Sequence, residues 1–238
     1  MDSLYKQVTI ALNKGSNPEK PVFLQKFFKT EPGQYGEGDL FIGLSVPQQR
    51  TISKIFYAQA SLDDIKKMLH DPIHEFRLTA LFMLVLKFEK TKDEKLRKDI
   101  FDFYLNNTAY INNWDLVDSS AEKIPGAYLF DKNRTLLLRL AESESLWEQR
   151  ISIIATFYFI KKHQFEDTLA IAEKLLYYKH DLIHKAVGWM LREVGNRDFQ
   201  KEYDFLSLHY QTMPRTMLRY AIEKFEPELR KKFLEGSV

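Results

Sequence analysis

Five stretches of the chain open an apolar helical run, after a short polar break, with a basic residue near its start. They are VPQQR ending at Arg50, IHEFR at Arg77, LWEQR at Arg150, LIHK at Lys185 and TMPR at Arg215. A sixth stretch, NNWDLVDSSAEKI, puts Asp118 in the equivalent slot. The steps between successive positions are 27, 41, 32, 35 and 30 residues, scattered around the roughly 34 to 47 residues of two-helix repeats. A helix pair of that size cannot bury its apolar face alone, so neighbouring pairs must stack. The predicted fold is therefore all-α, a curved α-solenoid whose second helices line a concave surface.

A solenoid grows without enlarging one core, so residues 1–238 are expected to form a single repeat domain. Its helix starts are written locally. Asn17-Pro18-Glu19 reads as a cap and first-turn pair before VFLQKFF, Ser61-Leu62-Asp63-Asp64 as a capping box, and Asp71-Pro72 as the opening of HEFRLTALFMLVLKF. The stretch TEPGQYGEGDLFIG, residues 30–43, resists helix and is expected to be a mobile loop at the rim of the groove. The longest apolar run, ISIIATFYFI, is too short to span a membrane, and the opening MDSLYKQVTIALNKG lacks the pattern of a secretory signal. With no cysteine, thiolate chemistry, iron–sulfur clusters and Cys-based zinc sites are excluded, and a cytoplasmic location is the simplest reading. The pairs His70/His74 and His180/His184 lack an obvious third ligand, so no metal or other cofactor is expected.

A net charge of +2 is a weak sign of nucleic-acid binding by itself, so placement must carry that argument. Arg77, Arg150, Lys185, Arg192, Arg215 and Arg219 fall in the expected second helices, while Asp63, Asp64, Asp93, Glu94, Glu166 and Asp167 fall in first helices or turns. That arrangement predicts an electropositive face suited to a polyanion. One carboxylate inserted into a row of cations would repel phosphate, and so points to chemistry. Trp114 and Asp118 stand at i and i+4, sharing a helix face; Lys185, Trp189 and Arg192 stand at i, i+4 and i+7, sharing another. If neighbouring repeats stack, two indoles, one carboxylate and three cations converge on the groove.

That set suits a cationic leaving group on a nucleic acid. An alkylated purine departs readily, and the protein has to stabilise the sugar oxocarbenium and admit water. A carboxylate supplies the electrostatic part, indole faces favour cations, and Arg150, Lys185 and Arg192 would hold phosphates.

The strings NNWDLVDSSAEKIPGAYL, SLWEQRISIIATFYFI and LIHKAVGWMLREVG resemble the AlkD-like DNA alkylation repair glycosylases, with WDxVD and KAxGWxLRE as the specific elements. The resemblance covers most of the chain. It implies HEAT-like repeats, a monomer acting on duplex DNA that carries N3- or N7-alkylated purines, and N-glycosidic hydrolysis without metal. It further implies a catalytic Asp118, Trp114 and Trp189 against the lesion nucleotide, Arg150 beside the DNA backbone, a bacterial cytoplasm as the setting, and action without a deep base pocket. Two positions depart from it. Phe27 stands where the best-known form has a tyrosine, and Ser45 where it has a polar amide.

Other readings stay open. Asp118 also suits a helix-start carboxylate favoured by the macrodipole, Asp115 a cap or a partner to a cation, and Trp147 a core position. Beside the DNA glycosylase stands a second class, a noncatalytic HEAT-repeat scaffold that binds DNA or protein. Base release separates the two.

Overall fold

Apolar periodicity and local capping set the helices. The computed structural model describes residues 3–238, and its helices gather into two compact units, Met1–Ile124 and Pro125–Val238. The first unit runs through α1 (Leu4–Lys14), α2 (Pro21–Phe28), α3 (Val46–Phe56), α4 (Leu62–Leu69), α5 (His74–Lys90), α6 (Glu94–Leu105) and α7 (Trp114–Ser120). The second runs through α8 (Ala127–Leu129), α9 (Thr135–Ala141), α10 (Leu146–Ala155), α11 (Phe157–Ile160), α12 (Glu166–Leu175), α13 (Asp181–Gly195), α14 (Phe199–His209), α15 (Arg215–Ala221) and α16 (Pro227–Glu235). Among the described residues there is no strand, only an isolated parallel bridge between Leu40 and Ile73. Nor is any helix there long and apolar enough to cross a membrane. The architecture is all-α, built from HEAT-like helix pairs.

The capping box at α4 forms as written: Ser61 Oγ accepts from the Asp64 amide at 3.1 Å, and the Asp64 carboxylate accepts from the Ser61 amide at 3.1 Å. Two starts lie further along than the sequence suggested. The helix after Asn17-Pro18 begins only at Pro21, because Asn17 Oδ1 accepts from the Glu19 amide at 3.0 Å and closes a turn first. That after Asp71-Pro72 begins at His74, because Asp71 Oδ1 takes the Ile73 amide at 2.8 Å.

Helix α5 carries the core of the first unit. It packs on α3, α4, α6 and α7, and Phe76, Leu78, Ala80, Leu81, Met83 and Leu84 are buried on every side of it, as a helix apolar all round must be. Its first turn also buries His74, Glu75 and Arg77. Buried charge needs partners, and the glycine-rich loop supplies them. Leu40 bridges to Ile73, its amide donating to the Pro72 carbonyl at 3.1 Å and its carbonyl accepting from the His74 amide at 2.8 Å. The Glu75 carboxylate accepts from the amides of Ile42, Gly43 and Leu44 at 2.8 to 3.2 Å. The loop expected to be a mobile rim is thus tied to the core helix at both flanks of Phe41. Gly43 turns there at φ 77°, where a Cβ would sit 2.2 Å from the Asn17 carbonyl oxygen.

In the second unit α13 packs on α10, α12, α14 and α15. Ile183, Ala186, Val187, Met190, Leu191 and Val194 form its buried face. At Gly188 a Cβ would lie 2.4 Å from the Met217 carbonyl oxygen and 2.6 Å from Tyr220 Cβ, so α13 and α15 meet backbone to backbone. Gly188→Ala is expected to destabilise by about 1 to 3 kcal/mol through overpacking. Thermal unfolding checks this, and an unchanged Tm would contradict the close approach.

Candidate functional site

The start of α7 is held by a buried polar cluster. His74 is 2% exposed and lies between two carboxylates, Nδ1 3.0 Å from Asp39 Oδ2 and Nε2 2.8 Å from Asp115 Oδ2. Ionised carboxylates only accept, so both ring nitrogens donate and the imidazole is the cation. Burial, the largest single influence, opposes that charge, but Asp115 and Asp39 together outweigh it and raise the His74 pKa to about 9. The ring also packs against Phe28 and Phe41, centroids 4.7 and 5.0 Å away. Arg77 pairs with Asp39 and donates to Asn112 Oδ1 at 2.6 Å, while Asn113 Nδ2 donates to Asp39 Oδ2 at 3.1 Å. Residues 112, 113 and 115 are therefore all gripped around Trp114. Asn113 completes the start of α7 by accepting the Trp114 amide on its Oδ1 at 2.8 Å.

From this anchored turn α7 presents Trp114 and Asp118, both half-buried, one helical turn apart. Trp114 stacks on Phe28 at 5.5 Å and meets Phe27 edge-on at 5.9 Å. Below the helix, burial first and then the negative charge of Asp118 keep the Tyr104 phenol protonated, its hydroxyl bonded to Ser120 Oγ at 3.0 Å.

On α13 the trio Lys185, Trp189 and Arg192 stays clear of the buried face, as the spacing predicts. Lys185 pairs with Asp181 at 2.6 Å and Arg192 with Glu223. Trp189 donates from Nε1 to Glu193 at 3.3 Å and leans on Phe157, with ring centroids 5.7 Å apart. Arg215 is exposed at the start of α15 and donates to the Leu234 carbonyl at 2.8 Å.

Two of the expected phosphate contacts need correcting. Arg77 is 5% exposed, with its guanidinium committed to Asp39 and Asn112, so it builds the α7 anchor and does not meet solvent phosphate. Arg150 is likewise 5% exposed and donates to the Leu182 carbonyl in the first turn of α13, which makes it a residue that positions that helix.

A family model for DNA alkylation repair enzymes matches residues 8–225, spanning both units. The chain belongs to this family. Among solved structures, the "predicted DNA alkylation repair enzyme" of Enterococcus faecalis shares the fold, with a TM-score of 0.67 at 15% identity over 89% of this chain and 97% of that one. No curated protein matches the chain.

Within this DNA alkylation repair family member, sequence reasoning missed Asp39 and the role of His74, and it left Asp115 between two readings. The structure makes Asp115 the partner of a cation. A signal was present: HEFR opens an otherwise apolar helix, and charges in such a helix require partners from elsewhere in the chain.

Proposed function

We propose that the protein is a DNA glycosylase that hydrolyses the N-glycosidic bond of cationic alkylated purines, such as 3-methyladenine and 7-methylguanine, in duplex DNA. The observation that carries this reading is the pairing of Asp118 with Trp114 on α7, a helix whose first turn is fixed by the Asp39, His74 and Arg77 cluster. A generic helical scaffold needs no such anchored carboxylate. The glycosidic C–N electron pair leaves with the base and neutralises its positive charge. Asp118 stabilises the oxocarbenium left on the sugar, and a water oxygen bonds to the anomeric carbon and passes its proton to the carboxylate or to solvent. Preorganisation matters here because the carboxylate must already face the developing charge. The Trp114 indole face favours the cationic ring or sugar.

Lys185, Arg192 and Arg215 supply phosphate contacts in this reading. The Lys185–Asp181 pair is solvent-accessible, and the Arg192–Glu223 pair has an exposed acidic partner; pairs of this kind contribute little and can exchange for phosphate. Affinity for duplex DNA should fall with rising salt, and Lys185→Ala or Arg192→Ala should each reduce the slope of log K against log salt by about one. Fluorescence anisotropy at several salt concentrations measures this, and a salt-independent affinity would remove DNA from the reading. For the chemistry, a duplex with one 7-methylguanine is incubated with the protein and then with an AP endonuclease. A nick at the lesion is expected. Binding without a nick would instead favour the noncatalytic scaffold.

A further inference from the structure

Lys185, Trp189 and Arg192 share one stripe of α13, and a carboxylate, Glu193, borders that stripe one turn beyond Trp189. Its place is unfavourable twice over. It sits in the last turn of the helix, where the macrodipole disfavours an anion, and beside two cations that meet phosphate in the glycosylase reading, where a negative charge repels DNA. Two contacts account for it. Glu193 Oε1 accepts the Trp189 indole N–H at 3.3 Å, and Oε2 accepts from Arg197 Nη1 at 2.8 Å. Arg197 also donates to the Glu193 backbone carbonyl at 2.8 Å, which satisfies an acceptor at the helix end. The indole itself leans on Phe157 of α11, a ring that Lys161 Nζ approaches to 4.1 Å and the Arg197 guanidinium to 5.8 Å.

We infer that Glu193 is a positioning residue: it fixes the Trp189 indole in one orientation between Lys185 and Arg192. The inference rests on the glycosylase reading and adds to it the group that sets how α13 meets the duplex. Trp189 stands between two phosphate contacts of that reading, so a backbone held by both runs across the indole. A half-buried indole is oriented by whatever accepts its one N–H. Glu193 is that acceptor, and Phe157 is the packing partner. The carboxylate, 17% exposed, can stand next to the phosphate contacts because Arg197 neutralises it from the same side. Arg192 pairs with Glu223 instead, and so stays available for exchange with phosphate.

The test uses the full-length protein with Glu193→Ala, which removes the acceptor, Glu193→Gln, which keeps an acceptor oxygen without the charge, and Trp189→Phe, which removes the donor. Indole N–H signals are followed by NMR on protein labelled with ¹⁵N-tryptophan, and Trp189→Phe identifies the Trp189 signal by its loss. That signal should lie downfield and exchange slowly with solvent in the wild type and Glu193→Gln, and move upfield and exchange faster in Glu193→Ala. A duplex with a single 7-methylguanine should carry it to one new position in the first two proteins and broaden it in the third. Single-turnover base release should fall on the order of tenfold in Glu193→Ala and stay near the wild-type rate in Glu193→Gln. In a Trp189→Phe background Glu193→Ala should cost nothing further. An indole signal unchanged by Glu193→Ala overturns the assignment. So does a loss of rate as large in Glu193→Gln as in Glu193→Ala, or one that persists in full without Trp189, and so does an active wild type matched by Glu193→Ala. If the wild type releases no base, the glycosylase reading falls, and the response of the indole signal to the duplex decides the role of Glu193 alone: the pattern above upholds it, and a signal that the duplex does not move overturns it.

Discussion

Asp118→Asn is expected to lower the rate of alkylpurine release on the order of a hundredfold or more while leaving duplex binding unchanged or slightly tighter. The substitution keeps the shape of the side chain and removes its charge. A carboxylate near phosphates costs affinity, so binding has no reason to weaken. A carboxylate facing a developing oxocarbenium lowers the barrier, so the rate has every reason to fall. Single-turnover kinetics separate the two, because they read the chemical step with the DNA already bound. Thermal unfolding supplies the other control. Because α7 starts at Trp114, Asp118 lies beyond its first turn and the helix-start reading of this carboxylate falls. If Asp118→Asn unfolds more easily but releases base at the wild-type rate per folded molecule, the carboxylate acts through packing alone and the catalytic role falls too.

The second large effect concerns Asp39. Asp39→Ala leaves His74 and Arg77 as buried cations without their shared partner, and removing one side of a buried pair costs about 3 to 5 kcal/mol. In a chain of this length that is a fall in Tm of roughly 6 to 20 °C. A change within a degree or two would show that the cluster does not hold the first unit together. The same cluster gives a pH signature. The His74 pKa is raised from 6.5 to about 9, so its contribution is complete below 6.5 and is lost as pH rises through 9. Glu202 loses stability in the same direction. It is 2% exposed and held protonated by burial, only partly offset by Arg192, with its pKa raised from 4.5 to about 9. Measured in a Glu202→Gln background, Tm should still decline between pH 6.5 and 9; a flat profile there would contradict the imidazolium assignment. At the acid end Asp39, its pKa lowered because His74 and Arg77 outweigh its burial, keeps the pair intact until pH falls below the ordinary carboxylate range.

What could be read from the sequence is what is local along the chain. The i, i+4 spacing of Trp114 and Asp118, the i, i+4, i+7 set on α13 and the capping box at Ser61 all depend on neighbours within two helical turns, and all appear in the structure with that spacing. Residues whose role depends on distant partners could not be read. Arg77 meets Asp39 across 38 residues, and His74 meets Asp115 across 41, so the local pattern assigns the first to phosphate and leaves the second without a role. The same holds for the glycine-rich loop, whose turns were visible but whose attachment to the first turn of α5 was not. An apolar cavity in the first unit, walled by Phe23, Phe27, Phe28 and Trp114, is likewise assembled from residues between Glu19 and Ser119, a range over which periodicity carries no contact information.

The central claim is base release, and chromatography of the supernatant after incubation of the wild type with methylated duplex DNA tests it directly. Free 3-methyladenine and 7-methylguanine should accumulate with time and protein concentration, leaving abasic sites in equal number. DNA that is bound by the protein yet yields no free base above the spontaneous rate would contradict the account and leave a noncatalytic DNA-binding scaffold.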